Sequence, residues 1–287
     1  MRLSVTAALA VAVTVALPAR PAQAGAWVPE PGDGYLKLWT KWLYGFGYHD
    51  GDDETIDYGS YDELFLSTYG EYGVLPGLAL TWHLDLVRSA FLEDPRSGDR
   101  SGHATPGDPR LGARFELLRS GRFALAGELT GLAPLADSDP LQKFVYEDGT
   151  VAGALRLGAG VWEAGARLSA GLGLDGYYAQ AGAGYLWRSD DYDDVIQFSL
   201  EGGLDITSKL ASRLRVVGHL ALESGDAPYS ENPAGVGNGV SYVGFALEAD
   251  YALRPGWYLG GTLEGGVIAI RRQTGGPVFT LYAAHAF

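Results

Sequence analysis

A hairpin near the carboxyl end of the chain decides the fold class. Residues 240–270 read VSYVGFALEADYALRPGWYLGGTLEGGVIAI, where apolar Leu247 and Tyr251 alternate with acidic Glu248 and Asp250. Successive side chains of a β-strand point to opposite faces, and the Pro-Gly step in the middle marks a tight turn. The segment therefore predicts two antiparallel strands with one apolar face and one polar face.

The connections between such segments alternate in length. Short turns at 75–77 and 119–121 contrast with long polar stretches at 49–60 and 133–160. A soluble β-sandwich would also alternate along its strands. Short turns on one side and long loops on the other are typical of outer-membrane barrels.

We therefore predict an all-β fold, a transmembrane antiparallel up-and-down β-barrel of twelve strands. The first strand is predicted at 35–48 and the last at 277–287. A further strand pair around 144–160 would raise the number to fourteen. An even number places both termini on the short-turn side, which is the periplasmic side in such barrels.

The amino-terminal 24 residues have the pattern of a secretory signal peptide. Arg2 precedes an uncharged apolar run at 3–17, and Ala22 and Ala24 form a small-x-small cleavage site. We predict a signal peptide at 1–24, an outer-membrane β-barrel at 25–287 and a location in the bacterial outer membrane.

Composition excludes several classes of function. The 287 residues contain no Cys, and the formal net charge is −14. The absence of Cys excludes disulfides, thiolate metal sites and thiol catalysis. The acidic balance argues against nucleic acid as a partner, and we expect no cofactor.

The outer surface and the carboxyl terminus indicate membrane partners. Aromatic residues such as Trp162, Trp187 and Trp257 fall near predicted strand ends, where girdles meet lipid headgroups. We expect contacts with outer-membrane lipid and lipopolysaccharide. Phe287 ends an amphipathic last strand and resembles the signal that the barrel-assembly machinery reads.

Charged residues on the predicted polar faces must point inward, because a charge at the lipid-facing midplane costs roughly 2–4 kcal/mol for Arg or Lys. Small inward residues leave space between them for a narrow passage, and the acid excess of lumen and loops favours cations or neutral solutes. The predicted lumen-lining residues are Lys37, Lys41, His83, Asp85, Arg114, Glu116, Glu128, Arg167, Glu201, His219, Glu248 and Glu264.

An acidic run suggests a weak metal hypothesis. Asp50, Asp52, Asp53 and Glu54 could offer oxygen ligands to Ca²⁺. The EF-hand spacing fails, because the glycine stands at the second place instead of the sixth. We therefore favour a solvated loop and predict no metal site.

Catalytic patterns are weak. The G-x-G-x-x-G match at 171–176 precedes a strand pattern, whereas a dinucleotide site needs a helix there. His83, His219 and His285 fall on three different predicted strands without a recognisable His-to-Ser arrangement. We predict no catalytic residues and no enzyme.

Three segments resemble one family of proteins. Residues 24–29 (AGAWVP), 107–114 (GDPRLGAR) and 157–163 (LGAGVWE) are similar to outer-membrane proteins of the phenol-degradation meta-pathway type. The resemblance implies a single-domain barrel that takes up small, often aromatic, compounds.

These observations favour a channel for passive uptake of small hydrophobic or neutral solutes. The first alternative is a structural or surface-interaction barrel with a plugged lumen. The second is an outer-membrane hydrolase.

Overall fold

The computed structural model describes most of the predicted mature chain. It covers residues 25–287 except 46, 53, 57–59, 146–148, 150 and 230. The predicted signal peptide at 1–24 lies outside the described residues.

Twelve long strands form one antiparallel sheet that closes on itself. They are β1 (Gly34–Gly45), β2 (Tyr61–Leu75), β3 (Leu78–Glu93), β4 (Arg110–Ser120), β5 (Phe123–Leu132), β6 (Glu163–Leu174), β7 (Tyr177–Arg188), β8 (Val195–Asp205), β9 (Leu210–Ala221), β10 (Ser241–Arg254), β11 (Trp257–Arg271) and β12 (Val278–Ala286).

Each strand pairs with the next along the chain, and the last pairs with the first. The closing register runs from Tyr35 opposite Ala286 to Leu43 opposite Val278. Closure leaves no unpaired sheet edge among these strands. The predicted all-β, antiparallel, up-and-down barrel of twelve strands is confirmed.

The fourteen-strand alternative is wrong. Val151–Leu155 pairs with Gln142–Val145 in a separate two-stranded sheet. The barrel offers these segments no edge, because β5 already pairs with β6 from Leu132 opposite Glu163 onward.

Four further short strands lie at the long-loop end. Arg100–Thr105 extends the sheet beside the far half of β3. Gly47–His49, Thr55–Ile56 and Gln273–Gly275 form a three-stranded sheet. These elements build the barrel rim outward on that side.

The two faces of the barrel wall differ in polarity, as the alternation predicts. Large apolar side chains cover the outside, including Leu129 (57% exposed), Leu200 (57%) and Leu281 (69%). Exposed Trp187 lies at the long-loop end of β7, and exposed Trp257 lies at the short-turn end of β11. No helix in the described part of the chain is long and apolar enough to cross a membrane.

Candidate functional site

The barrel interior contains a central chamber of about 400 Å³. Aromatic Tyr35, Trp39 and Tyr69 contribute to its wall, and Gly25 reaches it from the amino terminus. Eight of the predicted lumen residues line it: Lys37, Lys41, Arg114, Glu128, Arg167, Glu201, Glu248 and Glu264.

A second cavity of about 200 Å³ adjoins the chamber. It is lined by the predicted His83 and by Arg110, which lies at the long-loop end of β4. Tyr69, Glu128 and Arg167 line both cavities. These three side chains therefore stand where a solute would pass from one cavity to the other.

Three predicted lumen residues are not part of either cavity's lining. Asp85 accepts a 2.5 Å hydrogen bond from the Ser67 hydroxyl and lies 3.3 Å from His83 Nε2. Its carboxylate thus stands between the serine and the histidine. A nucleophilic triad needs the histidine in the middle, so this cluster does not activate Ser67.

Glu116 and His219 lie near opposite ends of the barrel. Glu116 is 2.7 Å from Arg119 Nε at the short-turn end. The His219 ring stacks on Tyr242 with centroids 5.5 Å apart, near the long-loop end of β9.

A dense polar cluster surrounds Glu248 on one wall of the chamber. The Glu248 carboxylate accepts hydrogen bonds from Lys37 Nζ (3.1 Å), the Tyr282 hydroxyl (2.9 Å) and Arg213. Arg213 and Tyr282 also contact Asp250. Buried charges are tolerated when they are paired and hydrogen-bonded in this way.

Arg213 and Tyr282 were not among the predicted site residues. Arg213 lies inside β9, three residues after the strand begins at Leu210. Parity with Arg215 marks Arg213 as inward, and alternation with Leu281 marks Tyr282 in the same way.

A second cluster surrounds Arg114. Its guanidinium donates to Glu71 at 2.6 Å, to the Tyr69 hydroxyl at 3.2 Å and to Glu128 at 3.5 Å. Thr81 donates to the other oxygen of Glu128 at 2.8 Å. These side chains thereby link the four consecutive strands β2, β3, β4 and β5 along the inner face of the wall.

The amino-terminal segment Gly25–Asp33, which we call the strap, crosses the short-turn end of the barrel. The Ala26 amide donates to Gln180 on β7 at 3.4 Å. Trp27 packs edge-on against Tyr178 at 6.0 Å. Val28 is buried with Ala79 on β3 and Ala126 on β5.

The strap reaches the opposite wall at β2. The Gly32 amide donates to the Gly73 carbonyl at 2.9 Å, and the Gly73 amide donates to Asp33 at 2.9 Å. A Cβ built at Gly73 would overlap the Glu30 carbonyl oxygen, so only glycine allows this approach. The strap therefore crosses the short-turn mouth, and its first residue, Gly25, contributes to the chamber lining. No sequence pattern predicts this segment.

Long loops cover the other mouth. We call the described parts of 133–160 and 225–239 the loop cap. Leu157 and Ala234 of the cap are buried together with Leu92 of β3.

Buried Arg88 and Arg188 hold the cap. Arg88 donates to the carbonyls of Leu157 and Ala234, each at 2.7 Å, and pairs with Glu63. Arg188 donates to the Gly237 carbonyl at 2.9 Å. The cap is thus fixed to β3 and β7, on two separated parts of the rim.

In the acidic loop at 50–54, the Asp50 carboxylate accepts hydrogen bonds from the loop's own backbone. Asp50 Oδ1 accepts hydrogen bonds from the amides of Asp52 (2.9 Å) and Glu54 (3.0 Å). Asp53 lies outside the described residues. No group of three or more His, Asp or Glu side chains in the described part of the chain, this loop included, could hold a metal ion.

The acid excess of the whole chain does not extend to the chamber. Six basic side chains and four acidic side chains line it. The expected preference for cations or neutral solutes rested on an acid excess in the lumen and loops. The chamber lining, with more basic than acidic side chains, gives no support for a cation preference.

Comparison with known proteins identifies the fold. The chain is similar to the COG4313 outer membrane channel from Pseudomonas putida F1, with a TM-score of 0.61 and 14% identity over 93% of this chain and 99% of that chain. It is also similar to the NanC porin, with a TM-score of 0.52 and 10% identity over 86% of this chain and 98% of that chain. No protein-family model and no curated protein matches the sequence. The inferred resemblance to outer-membrane barrel channels is thus confirmed at the level of the fold.

Proposed function

We propose that the protein is a channel of the bacterial outer membrane through which small solutes pass passively. The observation that carries this proposal is a polar chamber of about 400 Å³ inside a closed barrel with an apolar outer wall. The apolar outer wall suits contact with lipid. Closure of the barrel also leaves no backbone group unpaired in the hydrocarbon region. A twelve-strand barrel lies between side-chain-filled eight-strand barrels and open porins of about 16–18 strands.

The similar solved structures support the same reading. One is named an outer membrane channel and the other a porin. We place both termini in the periplasm, since the short turns and both termini lie at one end of the barrel.

The carboxyl terminus fits a role in assembly. Phe287 exchanges hydrogen bonds with Gly34, at 2.9 Å and 3.0 Å, and so completes the closing strand pair. Its ring is 52% exposed and stacks on Tyr72. We propose that the assembly machinery reads this residue, and that lipid and lipopolysaccharide contact the outer wall.

A plugged barrel that acts through its surface is the second candidate. The strap and the loop cap, which cover the two mouths, favour it. Hydrolysis has weaker support, because Asp85 separates Ser67 from His83.

Liposome swelling separates the first two candidates. Proteoliposomes that contain the channel swell in an isosmotic solution of a small neutral solute, whereas a plugged barrel leaves swelling at the rate of empty liposomes. Folding is confirmed beforehand by a heat-modifiable band on a gel.

Cysteine labelling tests the water-filled chamber directly, because the chain has no native Cys. Ser199 lines the chamber, and its neighbour Leu200 faces outward. A small membrane-impermeant thiol reagent should label Ser199→Cys and not the matched Leu200→Cys in proteoliposomes. Equal labelling of the two variants would contradict a hydrated interior.

A further inference from the structure

In the chamber, hydrogen-bond donors are more available to a solute than hydrogen-bond acceptors are. We infer that it binds a small organic carboxylate, with Arg167 as the principal contact. The inference deepens the proposed function and rests on it for the route by which the solute reaches the chamber.

The main acceptors in the chamber are already used by protein donors. The Glu248 oxygens accept hydrogen bonds from Lys37, Arg213, Thr262 and Tyr282. Two other carboxylates are similarly engaged: Glu201 accepts from Tyr178 and Gln180, and Glu128 accepts from Thr81 and Arg114. A solute that needs to donate hydrogen bonds finds these oxygens occupied.

The basic side chains are less fully used. Arg167 donates to the Ser199 hydroxyl and has no carboxylate oxygen within 4.0 Å in the described part of the chain. A guanidinium carries five N–H donors, so most of those on Arg167 are available.

Two further cations are held only loosely. Lys41 Nζ lies 4.0 Å from Glu264, and Arg215 Nε lies 3.5 Å from Glu201. The Lys41 and Arg215 side chains are 32% and 42% exposed within the protein. By contrast, Glu71 and Asp250 neutralise Arg114 and Arg213 at close range.

Two acids could oppose an anion at Arg167. Glu128 is its cross-strand partner, but the oxygens of Glu128 accept hydrogen bonds from Thr81 and Arg114. Glu264 is the most exposed acid of the chamber lining, with a side chain that is 35% exposed. It lies on β11, whereas Arg167 lies on β6. These strands are five apart around a twelve-strand barrel. A carboxylate at Arg167 therefore stands across the lumen from Glu264.

Local backbone positions the Arg167 guanidinium. A Cβ built at Gly182 on the neighbouring strand would overlap the guanidinium, so the side chain lies along the wall where residue 182 has no side chain. This places a planar donor fork at the junction of the two cavities. Such a fork suits two-point recognition of a carboxylate.

The rest of the chamber sets the size and character of the ligand. Its volume of about 400 Å³ falls in the lower part of the range for small-molecule sites. Trp39 and Tyr69 offer ring surfaces in the same chamber. Benzoate, with one ring and one carboxylate, is the probe of choice, and benzamide is its uncharged counterpart.

Equilibrium dialysis of radiolabelled benzoate against the folded, detergent-solubilised protein tests the inference without any flux measurement. Benzoate should bind at least about tenfold more tightly than benzamide, since hydrogen bonds to charged groups are the stronger ones. Arg167→Gln should weaken benzoate binding by about tenfold. The matched control Arg122→Gln, at an exposed pair with Asp175, should leave binding unchanged.

Gly182→Ala provides a second variant that keeps every charge. Its methyl group displaces only the flexible end of Arg167, so benzoate binding should weaken while the heat-modifiable band is preserved. If Arg167→Gln fails to fold, benzoate binding to Gly182→Ala tests the role of Arg167 in its place.

Equal affinity for benzoate and benzamide, or unchanged benzoate affinity in the folded Arg167→Gln or Gly182→Ala variant, would overturn the inference. Failure of the proposed function looks different. If liposomes swell only at the background rate but benzoate still binds, the channel proposal fails and the carboxylate site stands. If liposomes swell but benzoate does not bind, the carboxylate site fails and the channel proposal stands.

Discussion

The Arg119 guanidinium donates a 2.7 Å hydrogen bond to the Val28 carbonyl oxygen and ties the strap to the end of β4. Strap residues contact five other strands of the barrel on their way from β7 to β2. The strap is thus part of the folded interior, and its position depends on wall residues that can be changed individually.

Gly73→Ala should shift the strap and raise conductance. The added methyl group meets the backbone of Glu30 and Pro29, which cannot rotate away as a side chain could. Single-channel recording in planar bilayers should show a larger or more variable conductance than for the unchanged protein.

Gly202→Ala is the matched control for Gly73→Ala. Its Cβ would meet only the Tyr178 carbonyl oxygen at 3.8 Å, an ordinary contact distance. Equal conductance of both variants and the unchanged protein would show that the strap does not limit passage.

Arg88→Gln should release the loop cap. The substitution removes the donors to the Leu157 and Ala234 carbonyls and leaves Glu63 without its partner. Arg156 lies beside this anchor in the cap, so limited trypsin treatment should cut after it faster than in the unchanged protein. The cleavage site is read by mass spectrometry of the fragments.

Arg100→Gln serves as the control for the cap experiment. Arg100 pairs with Asp62 and its side chain is 48% exposed. Cleavage after Arg156 should keep its original rate in that variant. Acceleration in both variants would mean that the cap does not depend on Arg88.

Arg213→Gln should destabilise the barrel strongly. Among the described residues, removing this cation leaves Lys37 as the only ion-pair partner of Glu248 and deprives Asp250 of its ion pair. Breaking a buried ion pair on one side costs about 3–5 kcal/mol. The free energy of unfolding, measured by guanidinium titration of the detergent-folded protein, should fall by about this amount.

The control for that titration is Arg122→Gln. Its partner Asp175 is 93% exposed, and exposed pairs contribute at most about 1 kcal/mol. A similar loss in both variants would argue against a special role for the interior cluster.

The barrel itself could be predicted from sequence because its signal is local. Alternation of Leu247 and Glu248 reports which side of the wall each residue faces, and turn length reports the end of the barrel. The strand ends shift by only a few residues, as where the last strand runs over Val278–Ala286 and not over 277–287.

The positions of the strap and the loop cap could not be predicted in the same way. Val28 and Ala126 are nearly a hundred positions apart along the chain, and no periodicity connects them. The same holds for Arg88 and Leu157, whose contact depends on how a long loop folds back. The parity rule places Lys37 and Glu248 on the inner face, but not within hydrogen-bond distance of each other.

Leu200→Arg tests the placement of the wall in lipid. Leu200 lies in the middle of β8 and faces outward. An arginine at the midplane of a barrel wall costs about 2–4 kcal/mol, whereas the same substitution on a water-facing surface costs little. The free energy of unfolding from lipid vesicles should therefore fall by about 2–4 kcal/mol, and the loss should shrink when the same variant is unfolded from short-chain detergent micelles, where water is closer. Leu200→Met, which keeps an apolar side chain of similar volume, should stay within about 1.5 kcal/mol of the original. An unchanged stability of Leu200→Arg in vesicles would mean that this face meets water or another protein, and the membrane placement would fail with it.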